Sequence, residues 1–316
     1  MTTELLTRPD IESARHAGAH RAESRRQLPL RTTARPRTSG GVSILSWVFV
    51  CLSLLPLWVV LYVLLLSGLQ ESRTQHQLYG SLRAHLAAET VPVGGLIKNG
   101  TPVALLDIPA AGLHHAVVVE GTSSADLQGG PGHLANTVLP GQAGVSALLG
   151  RSVTFGAPFG RVAKLGKGNP ITVTTGQGVA HYYVTDVRRP GDPLPPALSA
   201  GEGRLTLVTV AGTGWRSGWA PTQTIYVDAS LQGSGSAPPA GRPSEVPPGQ
   251  AVMDGEPGAL VPLVLWLEAL VIIVVAATWA RARWGTWQVW LAGAPVLLAV
   301  IWVVTETSDR LLPNLL

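Results

Sequence analysis

The chain of 316 residues has a single cysteine, Cys51. One thiol excludes an intramolecular disulfide, and it excludes zinc or iron–sulfur centres built on cysteine clusters. Charge is scarce as well: Asp, Glu, Lys and Arg make up 13% of the residues, against 46% hydrophobic. Soluble domains carry about 25% charged residues, so the deficit implies that part of this chain sits in lipid. Lysine is rare. Within residues 89–231 there is no long helical period, and no repeat recurs at a fixed spacing, which argues against a helical bundle or a solenoid there.

What is abundant is glycine and proline, 36 and 25 residues, a bias toward turn-rich β structure and linkers. The net charge of +4 is uneven: Arg8, Arg15, Arg21, Arg25, Arg26, Arg31, Arg35 and Arg37 crowd the first forty positions. No aromatic residues interleave with them for base stacking, and an apolar run follows at once. The reading is therefore a basic cytoplasmic tail, residues 1–41, that orients a membrane protein, with no nucleic-acid partner.

Three uncharged or nearly uncharged runs are long enough to cross a bilayer: 42–66, 259–280 and 287–305. The first lacks a following A-x-A site and reads as an uncleaved signal anchor. Arginines in the tail and in the loop 281–286 belong on the cytoplasmic side by the positive-inside rule. This topology places everything between the first and second spans outside, together with the last residues, 306–316. Residues 67–88 carry Leu78, Leu82 and Leu86 at helical spacing and read as a juxtamembrane helix. Residues 232–257 are rich in Pro, Gly and Ser and read as a flexible or partly extended tether.

The exported segment 89–231 holds short runs rich in β-branched residues: Pro102–Ile108, Ala116–Val119, Val145–Leu149, Ile171–Thr175, Tyr182–Val187, Leu205–Val210 and Thr224–Val227. Many short strands punctuated by turn residues predict a mainly β sandwich or barrel.

Two passages add a sharper signal. One holds Val118-Val-Glu-Gly-Thr-Ser-Ser-Ala-Asp-Leu, then Gly130-Pro-Gly-His, then Leu139-Pro-Gly-Gln-Ala-Gly, then Phe155-Gly-Ala-Pro-Phe-Gly-Arg-Val; the other is Leu205-Thr-Leu-Val-Thr. In this order and spacing they resemble the sortase family, most closely the class E type of actinobacteria, from about Val93 to Leu231. The resemblance implies a sortase β-barrel on a membrane-anchored protein of the cell envelope. Its members are transpeptidases that cut a sorting signal on a secreted protein. Their chemistry uses a cysteine nucleophile, a histidine and an oxyanion-stabilising arginine.

At the matching positions this chain departs from the family. The cysteine position falls on Val210, the histidine position on Arg151, and the arginine position on Gln223 or Thr224. Valine offers no lone pair, and a guanidinium does not shuttle protons near neutral pH. Catalytic residues are therefore not expected. Arg151, Val210 and Arg216 are candidates for a peptide groove, with Arg151 read either as a surface residue or as a fork of donors for a partner's carboxylate. The hydroxyls of Ser123, Ser124, Thr209 and Thr213 lack an evident base, and Thr209 should face away from Val210 by strand alternation. His133 reads as a turn residue, and His181 as a barrel-surface residue. Glu268 and Gln288 are polar groups inside the last two spans, and Glu268 reads as a helix-packing group or an ion relay. No cofactor or metal is implied. The partners implied are the lipid bilayer and a secreted or membrane surface protein or peptide. Three functions compete: a non-catalytic sortase-like binder or scaffold, an active transpeptidase or hydrolase with a rearranged site, and a membrane-complex subunit that acts through its helical hairpin.

The topology is directly testable. A reporter fused after Leu231 is expected to be active only outside the cell, and one inserted at Arg283 only inside; an interior signal after Leu231 would overturn the assignment.

Overall fold

A computed structural model describes residues 40–212, 223–284 and 286–316. The basic tail before residue 40, and the loop carrying Thr213 and Arg216, lie outside the described residues. Eight strands form one closed barrel: β1 (Pro102–Ile108), β2 (Leu113–Glu120), β3 (Gly132–His133), β4 (Gly144–Leu149), β5 (Pro170–Thr175), β6 (Gly178–Arg188), β7 (Gly203–Ala211) and β8 (Gln223–Leu231). Around the barrel the order is β1, β2, β3, β4, β7, β8, β6, β5, and the β1–β5 pairing closes the ring.

All seven β-rich runs of the sequence are strands. Their inward residues, among them Val103, Leu106, Ile108, Val118, Leu148, Ile171, Val173, Leu205, Leu207, Ile225 and Val227, form the main core. Period-two alternation explains this: in β7, Leu205 and Leu207 enter that core, while Val208 and Val210 belong to a second apolar cluster on the other face.

The eighth strand, β3, was not expected. Its two residues bridge β2, which it pairs in parallel, and β4, which it pairs antiparallel. His133, read from the sequence as a turn residue, is thus in a strand, and it is fully buried. Glycine makes the bridge possible, because a Cβ at Gly132 would stand 2.2 Å from the carbonyl oxygen of Gly121.

Helix α1 (Gly40–Leu61) runs through a π-helical turn, Tyr62–Leu66, into α2 (Ser67–Ala87) without a break. Leu82 on α2 packs with Val91 and Val117, and the Gln75 side chain accepts from Val117 N at 2.8 Å and donates to Gly129 O at 2.6 Å. The helix is thereby docked on the barrel wall. After the barrel come α3 (Leu260–Trp284) and α4 (Thr286–Asp309). Leu270, Val300 and Val304 pack between these two helices, with Leu55 of α1 against them.

Two helices, Pro257–Arg281 and Trp287–Asp309, are long and apolar enough to cross a membrane. That is one fewer than the three spans expected. The first apolar segment is helical, but it continues into the polar α2 and is not among the helices that meet the criterion within the described residues.

Residues 232–256 have no helix or strand, yet they are laid along the barrel. Ala143 N donates to Ser236 O at 2.9 Å, Thr122 Oγ1 donates to Gln250 O at 2.7 Å, and Arg242 reaches Glu120 at 3.6 Å. Proline and glycine here give an extended strap whose polar backbone is satisfied from outside itself.

Gly150, which ends β4, sets the exit of that strand toward residue 151. A Cβ there would meet the Phe159 ring at 2.5 Å. Gly150→Ala is expected to cost about 1–3 kcal/mol through overpacking, read as a lowered thermal midpoint of the full chain in detergent; an unchanged midpoint would show that the ring gives way freely.

Candidate functional site

Parallel pairing of β4 and β7 brings the site together. The last paired residues are Leu149 and Val208, so Arg151 and Val210, two positions further along each strand, leave adjacent strands at the same end of the barrel. Gly150 N donates to Val208 O at 3.1 Å, and Thr209 Oγ1 donates to Gly150 O at 3.2 Å. On the other side of β7, Val210 pairs with Thr224 and Ala211 with Gln223. The positions singled out on β4, β7 and β8 therefore converge. Thr209 is fully buried, and alternation sets it on the Leu205–Leu207 face, away from Val210.

Arg151 is fully buried, which excludes its reading as a surface residue. Its Nη2 donates to Ser124 O and Ser124 Oγ, each at 2.9 Å, and to Asp309 Oδ2 at 3.1 Å; its Nη1 donates to Thr154 Oγ1 at 3.0 Å. The guanidinium also stands 4.7 Å from the centre of the Phe155 ring. Burial pulls the arginine below its ordinary pKa, and the Asp309 carboxylate offsets part of that. Asp309 is itself fully buried and accepts from Gln128 Nε2 at 2.7 Å. The match is incomplete: Arg151 Nε and Asp309 Oδ1 have no partner, and each unpaired buried group costs about 1–3 kcal/mol.

Asp309 closes α4, and the residues after it lie over Val210. Leu315, fully buried, joins Val210, Val208, Leu149 and Leu127 in one apolar cluster, edged by Tyr226, Val252 and Met253. Burying a leucine contributes about 1.5–3 kcal/mol. Backbone bonds hold the segment as well. Ser152 N donates to Leu315 O at 3.1 Å, and Val153 N and Thr154 N donate to Leu316 O at 3.2 and 2.9 Å. Asn314 clamps two loops, its Nδ2 donating to Thr122 O at 2.8 Å and Ala251 O at 2.9 Å.

The remaining candidates fall elsewhere. His133 Nδ1 lies 2.8 Å from Glu120 Oε2 and its Nε2 2.9 Å from Val138 O, a buried bracing role beneath the loops. Gln223 is exposed and Thr224 half-buried. Ser123 is turned to Asp126, which its Oγ reaches at 2.8 Å. His181 is exposed on β6, and Glu268 and Gln288 are both exposed on their helices. Among the described residues no group of three or more His, Cys, Asp or Glu could hold a metal ion. The sequence reading missed Asp309, Ser124 as a partner of Arg151, and Leu315. The available signal was Asp309 itself, an acid at the end of an apolar helix, with no local basic partner except Arg310.

Residues 106–219 match the family model described as Sortase domain. This chain therefore carries a sortase-family domain. Solved structures similar to it include a Sortase D5 transpeptidase from Clostridium perfringens, at 24% identity over 51% of this chain and 99% of that one, with a TM-score of 0.40. Sortase E from Streptomyces avermitilis is 28% identical over 43% of this chain and 91% of that one, with a TM-score of 0.35. A sortase from Actinomyces oris is 26% identical over 45% of this chain and 85% of that one, with a TM-score of 0.39. No curated protein matches the chain.

The buried pair makes a double-sided prediction. Arg151→Ala is expected to destabilise the full chain by about 3–5 kcal/mol, because it strands the Asp309 carboxylate, whereas the apolar exchange Arg151→Met with Asp309→Leu should come close to neutral. Thermal unfolding in detergent micelles checks both, and a near-silent Arg151→Ala would mean that the pair is solvated and carries little.

Proposed function

We propose that this chain is a membrane-anchored, non-catalytic sortase-family protein of the cell envelope that binds or scaffolds a surface protein without cutting it. The reading rests on one observation above others. The end of β7, where the family resemblance locates a nucleophile, is a valine sealed under Leu315, and the neighbouring Arg151 is committed to a buried ion pair. A thiol, a titratable imidazole and a free arginine would each have to stand where a hydrocarbon, a paired guanidinium and a Gln or Thr now stand. Peptide binding does not need those groups, because holding a segment and breaking its bond rest on different contacts.

In this proposal the tail before α1 is cytoplasmic, α1, α3 and α4 are the spans, and the barrel with the segment after α4 is extracytoplasmic. The helical hairpin enters from the strap at Pro257 and returns to the barrel at Asp309, so both of its ends meet the domain on one side, as a paired crossing requires. The surface-protein partner comes from the family, whose members act on proteins bearing sorting signals. A membrane-complex role for the hairpin stays as a second reading, favoured by one observation: the hairpin is bonded into the site through Asp309.

The full chain, reconstituted in nanodiscs with peptides of the sorting-signal type and an amine acceptor, is expected to give neither cleavage nor transfer by mass spectrometry. Turnover that depends on Thr209 or Ser124, lost in Thr209→Val or Ser124→Ala, would overturn the non-catalytic reading.

A further inference from the structure

The end of the barrel beside Val210 is covered by residues 309–316 of this same chain. Three features of the resident segment 309–316 are read by the barrel. The Asp309 carboxylate sits on Arg151, the Leu315 side chain sits on Val210, and consecutive backbone N–H groups of Ser152, Val153 and Thr154 receive the carbonyls of Leu315 and Leu316. The first two contacts recognise side chains. The third recognises backbone carbonyls alone, at the end of a segment that folds through turns, with Leu312 N donating to Asp309 O and Leu316 N to Pro313 O.

The resident fit is also imperfect. Arg151 Nε and Asp309 Oδ1 are buried without partners, and Asn314 Oδ1 and Gln250 Oε1 beside the strap share that condition. A carboxylate set across Nε and Nη2 together would satisfy the fork that Asp309 meets with one oxygen. The resident holds its place through linkage, since a segment joined to the same chain competes at a high effective concentration.

We propose that this groove is a binding site for a peptide that folds through turns as the resident does, places a carboxylate on Arg151 and, six residues later, an aliphatic side chain on Val210, and that segment 309–316 is its resident occupant, displaced when such a peptide binds. The proposal rests on the non-catalytic reading and gives that reading its ligand chemistry. It also ties occupancy to the membrane part, because Asp309 is the last residue of α4 and leaves the groove only if the end of that helix moves.

The test uses the full chain in detergent with Cys51→Ala and Val210→Cys, which puts one thiol beneath the segment. Maleimide labelling of that thiol is expected to be slow. Adding Leu315→Asp, which sets a charge in the apolar cluster, should speed labelling at least about tenfold by shifting the local opening equilibrium. A synthetic peptide copying residues 308–316, Ser-Asp-Arg-Leu-Leu-Pro-Asn-Leu-Leu, should restore protection to that variant, and the same peptide with Asn for its Asp should not. Where Leu315→Asp fails to fold, Asn314→Ala releases the clamp on the two loops and takes its place. Equal labelling with and without the releasing substitution overturns self-occupancy, and faster labelling that the peptide does not slow overturns the ligand assignment. Cleavage of the same peptide by the chain with Val210 intact would instead sink the non-catalytic reading, independently of the labelling rates.

Discussion

The buried pair of Arg151 and Asp309 is the constraint on which the site depends. A guanidinium with no access to water must find acceptors for its donors or unfold its surroundings. Here it takes Ser124 and Thr154 from the barrel loops and Asp309 from the end of α4. Those three elements are far apart in sequence, and the charge holds them at one point. The residues after Asp309 cross the end of β7, where Leu315 packs against Val210. In the proposal above, the groove therefore opens only when this ion pair breaks.

A second tier of contacts supports the first. The strap of residues 232–256 carries Asp254, whose carbonyl accepts from Asn314 N at 2.9 Å, and Glu256, whose Oε1 accepts from Ala125 N at 3.3 Å, next to Ser124. The strap and the final segment therefore brace one another against the loop that follows β2. Ser67 at the start of α2 adds a further tie, with Phe155 N donating to its Oγ at 2.9 Å beneath the ring that faces Arg151.

Much of the barrel was legible in the sequence because its strands are made of β-branched runs long enough to alternate. The run Leu205–Val210 announces both a strand and its two faces. The two residues of β3 carry no such pattern: they are a strand only because Val119–Glu120 and Leu148–Leu149 stand on either side, which is tertiary information. Composition described residues 232–256 only in part, for a related reason. Proline and glycine exclude regular structure, but they do not exclude docking, and the partners of this strap, such as Thr122, Ala143 and Asn314, lie far from it in sequence. Arg151 shows the same limit in electrostatic form. Its place next to Val210 followed from motif spacing, while its burial depends on a carboxylate 158 positions away in a stretch that reads only as the end of an apolar helix. The expectation of three apolar crossings rested on length and lack of charge alone, and two helices meet that standard in the structure.

The continuous helix from α1 through the π-turn into α2 attaches the barrel at one place, and the strap and the end of α4, joined where Glu256 N donates to Arg310 O at 2.9 Å, attach it at a second. A domain on one flexible leash sweeps a hemisphere and samples whatever passes. A second anchorage removes much of that freedom. In the orientation proposed above, the barrel would then have a set height and facing with respect to the bilayer, a gauge that would admit only chains emerging beside it at one level and from one side.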